Sequence, residues 1–175
     1  MQEKRWEQWL NDEEVLERDL NIYISRKKIR TGTTRREVQG HLAKAKRNLR
    51  FSRKIIDEMK DFYEWSITAQ YYAIYQAALA LCALKGYKTK SHIATMALII
   101  SHYYPKEVSK KDMEQMDQAT MMKEDIKGFG ELKQFREKAS YSIAIEYEKE
   151  LAEISAQKAS EFVMKAERII ELNQN

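Results

Sequence analysis

Residues that break or bend a backbone are nearly missing: the chain has one proline and five glycines among 175 residues. An all-β protein with many tight turns needs that punctuation, so its scarcity excludes one. Cysteine is as scarce. Cys82 stands alone in an apolar run, so no disulfide can form within the chain, and a small buried side chain in a reducing, cytoplasmic setting is the expectation. The sequence has no P-loop, dinucleotide fingerprint, zinc spacing or nucleophile elbow. With histidines only at 41, 92 and 102, no dense metal-ligand set assembles from sequence neighbours, and neither metal nor cofactor is expected.

Long hydrophobic runs are also few. The N-terminus, MQEKRWEQWL, has charges where a secretory signal would place its apolar region, and only 67–84 approaches the length that spans a bilayer. That run contains Gln70 and Gln76, is rich in alanine and is bracketed by Glu64 and Lys85. It reads as a core helix, and no membrane partner is expected.

What the chain does have is Ala, Leu, Glu, Lys, Arg, Gln and Met, which favour helix. Its length suits one domain with a single apolar core, and the class is all-α. Charge is unevenly placed. Residues 26–54 carry twelve Lys and Arg against Glu37 alone, a local +11 within a chain of net +4, so the remainder carries −7. Such asymmetry attracts polyanions at long range.

Periodicity divides the chain into helices. A first amphipathic helix spans about 3–24, with Trp6, Leu10, Leu16, Leu20 and Tyr23 near one face. RKKIRTGTTRRE then reads as a mobile basic linker. Thr34 three residues before Glu37 is a capping-box pattern that starts a second helix, running to about Met59, with Val38, Leu42, Ala45, Leu49, Ile56 and Met59 inward. Lys46, Arg50, Arg53 and Lys54 lie largely off that stripe, so the basic cluster becomes a surface. A third helix, about 62–85, is apolar on nearly every side and reads as the central helix of a bundle, with Trp65, Tyr71 and Tyr72 as core residues and Gly86 as C-cap.

Thr89 or Ser91 caps the next helix, which Pro105 closes. Ser109 with Asp112 starts another, with Met113, Met116, Thr120 and Met121 inward as core filler. KGFGE, 127–131, is a turn. The stretch ELKQFREKASYSI, 131–143, follows with helical spacing. A last helix has Leu151, Ile154, Phe162, Ala166 and Ile169 on one side, and periodicity lets these two fuse through Tyr147. The organisation is thus an N-terminal helix and basic linker over 1–33 and a helical bundle over 34–175.

Few residues offer chemistry. Asp112, Glu114 and Asp117 suit a helix N-terminus better than an acid–base pair. His92 at a helix start can meet an anion or move a proton near neutrality, whereas His41 and His102 are weaker candidates.

One stretch carries a family resemblance. Ser66, Tyr71, Tyr72, Ala73, Tyr75, Ala77, Ala78 and Leu79, then Gly86, Ser91 and His92, resemble the core-helix signature of the HEPN domain. Arg136, Ala139, Ser140 and Tyr141 resemble its second, Arg-x-x-Ala-Asp-Tyr signature, with Ser140 where the aspartate is usual. The resemblance covers about 37–172 and leaves the first helix as an extra element. It implies an antiparallel bundle of four or five helices that forms a homodimer, with the arginine-bearing helices bordering one cleft and a break soon after Tyr141. It also implies a nucleotidyltransferase antitoxin as partner in a toxin–antitoxin-like system, and RNA or a nucleotide as ligand.

The nuclease pattern of that family has a histidine after four to six residues from the arginine. Tyr141, Ser142 and Ile143 occupy those positions here. RNA cleavage needs a proton carrier near neutrality, and a phenol of pKa about 10 rarely serves. Arg136 retains the other half of the task, a planar permanent cation for phosphate oxygens. The expectation is therefore a HEPN-type module binding RNA or a nucleotide through Arg136, Ser140, Tyr141, Arg47 and Arg50. The alternatives are a ribonuclease in which Arg136 acts with His92 or His102, and a helical interaction domain that meets acidic proteins.

Overall fold

The computed structural model describes residues 4–59, 62–121 and 141–173, with the side chains of 141–148 outside that description. Two short helices, α1 (Arg5–Asn11) and α2 (Glu13–Ser25), precede a short strand β1 (Ile29–Thr31). Then come α3 (Arg35–Glu58), α4 (Tyr63–Leu84), β2 (Tyr87–Thr89) and α5 (His92–Tyr103). A sixth helix, α6, covers 110–121, and α7 runs Tyr141–Leu172. The class is all-α as expected, with one two-stranded ribbon added.

The ends of these elements follow local chemistry. Thr34 Oγ1 accepts the Glu37 amide hydrogen at 3.3 Å, and the Glu37 carboxylate accepts from the Thr34 amide at 2.8 Å, so the capping box starts α3. Asp112 and Ser109 repeat the exchange at the start of α6. Gly86 follows α4 at φ +89°, where a Cβ is disfavoured. The expected continuous first helix is instead broken at Asp12. That residue is extended, and its carboxylate caps α2 by accepting the Val15 amide hydrogen at 3.0 Å; a short carboxylate that can satisfy a new helix start ends the old one.

The mobile linker is also corrected. Its residues Ile29, Arg30 and Thr31 pair antiparallel with Thr89, Lys88 and Tyr87. Ile29 is buried, Gly32 N–H donates to Gly86 O, and Thr33 Oγ1 donates to Ala83 O, so the segment is tied to the end of α4. Nor does the chain break after Tyr141: α7 is continuous through Tyr147, as the periodicity allows. The turn at 127–131 and the helical stretch expected over 131–140 lie outside the described residues.

Helix α4 is the centre. It packs on α3, α7 and α5, and Ala73, Ala77, Ala78 and Ala80 are fully buried. Among the described residues it is the one helix long and apolar enough to cross a membrane, yet 72% of its apolar window is buried inside the fold. Small side chains let α3 approach, and the amide of Gln70 fixes the arrangement. Its Nε2 lies 2.9 Å from Ser52 Oγ on α3, 3.0 Å from Ser66 Oγ on α4 and 2.9 Å from the Ala152 carbonyl on α7. Helix α7 returns antiparallel to α3, with Lys46 paired to Glu167 near one end and Ile56 beside Ala152 near the other. Helix α6 lies along α7, joined by Lys165 to Asp112.

Several inward assignments are corrected by the neighbours available. Trp65 is 57% exposed and Tyr72 39%, with no helix among the described residues over the face of α4 between them. Met59, Met121 and Ile154 are likewise exposed, each at the edge of its stripe. Met113, Met116, Phe162, Ala166 and Ile169 are buried as expected.

The N-terminal helices are seated by Trp6, Trp9 and Leu16, which join the same apolar cluster as α5. Asp19 is the polar anchor of that seat. It accepts from Arg5 Nε at 2.6 Å and from the Trp9 indole N–H at 2.9 Å. The Arg5 hydrogen bond, with help from the indole, outweighs burial and holds its carboxyl below the ordinary range. The stabilisation is therefore complete above the unfolded-state pKa near 4 and is lost as pH falls through the lower folded value. Asp19→Asn is expected to cost about 1–3 kcal/mol at pH 7, measured by urea unfolding followed by tryptophan fluorescence. The gap from wild type should narrow below pH 4; a gap independent of pH would refute the ionic anchor.

Candidate functional site

Antiparallel packing of α3 on α4 builds an exposed face. The Ser52 and Ser66 hydroxyls meet at 2.9 Å across the pair. Successive helical residues turn by about 100°, so in an antiparallel pair the residues just before this contact, Phe51 and Trp65, turn to the same side. Both are more than half exposed. One and two turns away, Tyr72 on α4 and Lys44 and Arg47 on α3 share that side and are exposed. Aromatic planes thus stand beside cations on a rigid surface.

The cations of α3 are not equivalent. Lys46 pairs with Glu167, Arg53 with Asp57 at 3.1 Å and Lys54 with Glu58 at 3.6 Å. Arg47 and Arg50 are exposed and make no ion pair with a described residue. Arg47 borders the aromatic face, and Arg50 points further round, away from α4.

His92 lies on another side of α4. It is the first residue of α5, a start fixed by Thr89 Oγ1, which accepts the Ser91 amide hydrogen at 3.0 Å. Tyr71 and Tyr75, four residues apart on α4, stack at 5.9 Å, and the imidazole lies 6.1 and 5.8 Å from their ring centres. Its Nε2 meets the Thr120 hydroxyl of α6. That hydroxyl has one hydrogen and directs it to the Met116 carbonyl at 2.9 Å, so Nε2 carries the proton and donates. In the neutral ring Nδ1 then holds the lone pair.

Below Tyr71, a recess of about 30 Å³ opens between α4, α6 and α7. Gln70 and Gln115 line it, and their side-chain oxygens have no hydrogen-bond partner among the described residues. It has room for a water and not for a nucleobase.

The other histidines are differently occupied. His41 Nδ1 bonds Gln76 Oε1 at 2.7 Å. His102 is at the far end of α5, stacked on Tyr87 at 5.2 Å, and burial, with Lys85 nearby, holds its pKa below the ordinary value. Ten residues of helix, about 15 Å, separate it from His92. Burial pushes the Cys82 thiol well up, so it stays protonated and inert. Among the described residues no cluster of three or more His, Cys, Asp or Glu side chains can hold a metal.

Arg136 and Ser140 lie outside the described residues, as does the Tyr141 side chain. The Tyr141 backbone opens α7, and because α7 opposes α3, that start lies at the end of the bundle where Met59 and Phe62 are exposed. Arg47, Arg50 and His92 are therefore placed, on different sides of the α3–α4 pair.

A HEPN domain model matches residues 38–174. The chain belongs to the HEPN domain family. No curated protein matches it. The HEPN match begins within α3, so α1, α2 and β1 precede it, and membership makes this a nucleotide- or RNA-related module. Within the HEPN signature, Tyr71 and Tyr75 hold His92 while Tyr72 faces solvent. Periodicity cannot find the exposed Trp65 and Phe51, since an apolar residue at helical spacing looks the same whether or not a neighbour covers it. Thr120 carries no sequence signal as a partner of His92.

Thr120→Val removes the acceptor while keeping the shape. In wild type, the long-range proton–nitrogen NMR spectrum of neutral His92 should show the Nε2–H tautomer, and Thr120→Val should shift that balance. A wild-type ring protonated on Nδ1 would refute the assignment.

Proposed function

We propose that this HEPN module binds single-stranded RNA or a nucleotide, as a homodimer, with Arg136 contacting phosphate in a cleft shared by two subunits. The observation that carries the reading is the open α3–α4 face, where Arg47 and Lys44 lie beside exposed Phe51, Trp65 and Tyr72. Bases stack on aromatic faces whatever their identity, and cations beside them meet the backbone. An acidic protein surface would need the cations and not the aromatic planes. The second copy is assigned to the Met59 and Phe62 end, where apolar side chains are uncovered and α7 begins. Ser140 and Tyr141 then border the same cleft, and Arg50 adds long-range attraction.

Binding without cleavage fits the His92 geometry better than catalysis does. Its Nε2 proton is committed to Thr120 and its ring is flanked by Tyr71 and Tyr75. A nucleotidyltransferase antitoxin is the partner this reading implies, in a reducing cytoplasm that suits a lone buried thiol.

Titration of a single-stranded RNA with wild type and variants tests the reading. Trp65→Ala should weaken binding by about 1–3 kcal/mol, the worth of one stacked base. Arg47→Glu should weaken it and flatten its salt dependence. Arg136→Ala should abolish nucleotide binding while leaving the helical circular dichroism signal intact. Wild-type affinity in all three variants would overturn the proposal, and cleavage of the RNA by wild type but not by His92→Ala would replace it with the ribonuclease.

A further inference from the structure

The ribbon whose first strand precedes the HEPN match breaks local rules in a consistent way. Its register sets Arg30 directly opposite Lys88. Cross-strand partners stand about 5 Å apart, and like charges so placed destabilise the pair. Alternation turns Ile29 and Thr89 inward and leaves Lys28, Arg30, Lys88 and Lys90 outward and exposed. Glu37 reaches Lys88 at 2.7 Å, and the other three make no ion pair with a described residue.

The turn entering the ribbon is as unusual. Lys28 N–H donates to Tyr23 O and Lys27 N–H to Ile24 O, which closes α2 with a Schellman turn. The residue in its left-handed position is Lys27, at φ +56°, where glycine is favoured. Arg26 adjoins it. A cation is thus retained at a conformational cost, beside an opposed pair in which Glu37 neutralises Lys88 and Arg30 has no carboxylate partner among the described residues. An anion bound beside Lys27 and Arg30 offsets the first cost and supplies the missing countercharge.

We propose that this ribbon is a second RNA site, gripping the phosphate backbone through Lys27, Arg30 and Lys90. It lies at the C-terminal end of α4, opposite the end where α7 begins. Trp65, at the far end of the aromatic face, stands 19 residues before Leu84, the last residue of α4, so about 30 Å of helix lies between it and the ribbon. A stacked strand with a phosphate every ~3.4 Å covers that distance in about ten nucleotides. This rests on the RNA reading above and narrows it: the ligand is a polymer that runs from the aromatic face to the ribbon, and a mononucleotide touches only one of them. The backbone is held for the purpose, since Gly32 and Gly86 bond across the ribbon and Thr33 ties it to α4.

The test uses the whole protein with a mixed-sequence single-stranded RNA of 20 nucleotides and with AMP. In Arg30→Gln/Lys90→Gln, affinity for the RNA should fall at least tenfold at 100 mM salt, and the log–log salt slope should shrink by about 1.4, or 0.7 for each lost phosphate contact. AMP affinity should not change. Lys27→Gly should raise the melting temperature by about 2 °C, yet weaken the RNA. A double variant that binds RNA with wild-type affinity and slope overturns the ribbon site and leaves the aromatic face standing, as does one that loses AMP as well. Wild type that binds neither RNA nor AMP overturns both, and wild type captured by phosphatidylserine vesicles but not by RNA assigns the ribbon to a membrane and overturns the proposal.

Discussion

One buried amide sets the geometry on which the rest depends. Helix α3 brings Val38, Leu42 and Ala45 to the apolar cluster that holds the alanines of α4, and apolar contact of this kind does not by itself fix a register. Gln70 removes that freedom, because its Nε2, with two hydrogens to give, lies within bonding distance of Ser52 Oγ, Ser66 Oγ and the Ala152 carbonyl only in this register. A slip by one turn would leave buried polar groups unpaired, at about 1–3 kcal/mol each. Three helices are thereby held in one register, and every surface described above is a consequence. Phe51 and Trp65 turn to the same side only because Ser52 meets Ser66.

The N-terminal segment extends that logic beyond the HEPN match. Trp6 and Trp9 fill a seat against α5, and Asp19 ties Arg5 and the Trp9 indole into it. Buried carboxylates are costly unless paired, and this one is paired twice. The seat delivers the chain to β1 at a fixed angle, so the basic run that follows is a ribbon with a register and not a tail. Charge in this protein is accordingly a matter of position. Of the twelve cations of 26–54, Arg26, Lys27, Lys28 and Arg30 belong to the ribbon and its entry, Lys46, Arg53 and Lys54 are paired with α7 or with an i+4 carboxylate, and Lys44, Arg47 and Arg50 are exposed on α3.

Helix starts, the class and the central helix were legible in the sequence because each is decided locally. Thr34 and Glu37 need only each other, and an apolar segment as long as α4 has nowhere to go but a core. The ribbon was not legible from one segment, since β1 has three residues and its partner lies 58 positions later. The alternation I-R-T and Y-K-T-K is its trace, too short to separate from a loop. Exposure of Trp65 was hidden for a different reason: amphipathic spacing reports which way a residue points and says nothing of whether a helix stands there. The break at Asp12 was ambiguous because aspartate at a helix interior and aspartate at a cap look alike until the chain turns.

The departures from local rules lie where the cations are. Trp65 and Phe51 stay in water beside Arg47, Arg30 opposes Lys88, and Lys27 sits where glycine belongs. Elsewhere the chain obeys those rules: caps close, buried alanines pack, and the buried carboxylates Asp19 and Asp112 find partners. A sequence under selection for stability alone would shed the exceptions first, because each is removable by one substitution without touching the core. Clustered on the cationic surfaces, they are what the anionic ligand proposed above would account for.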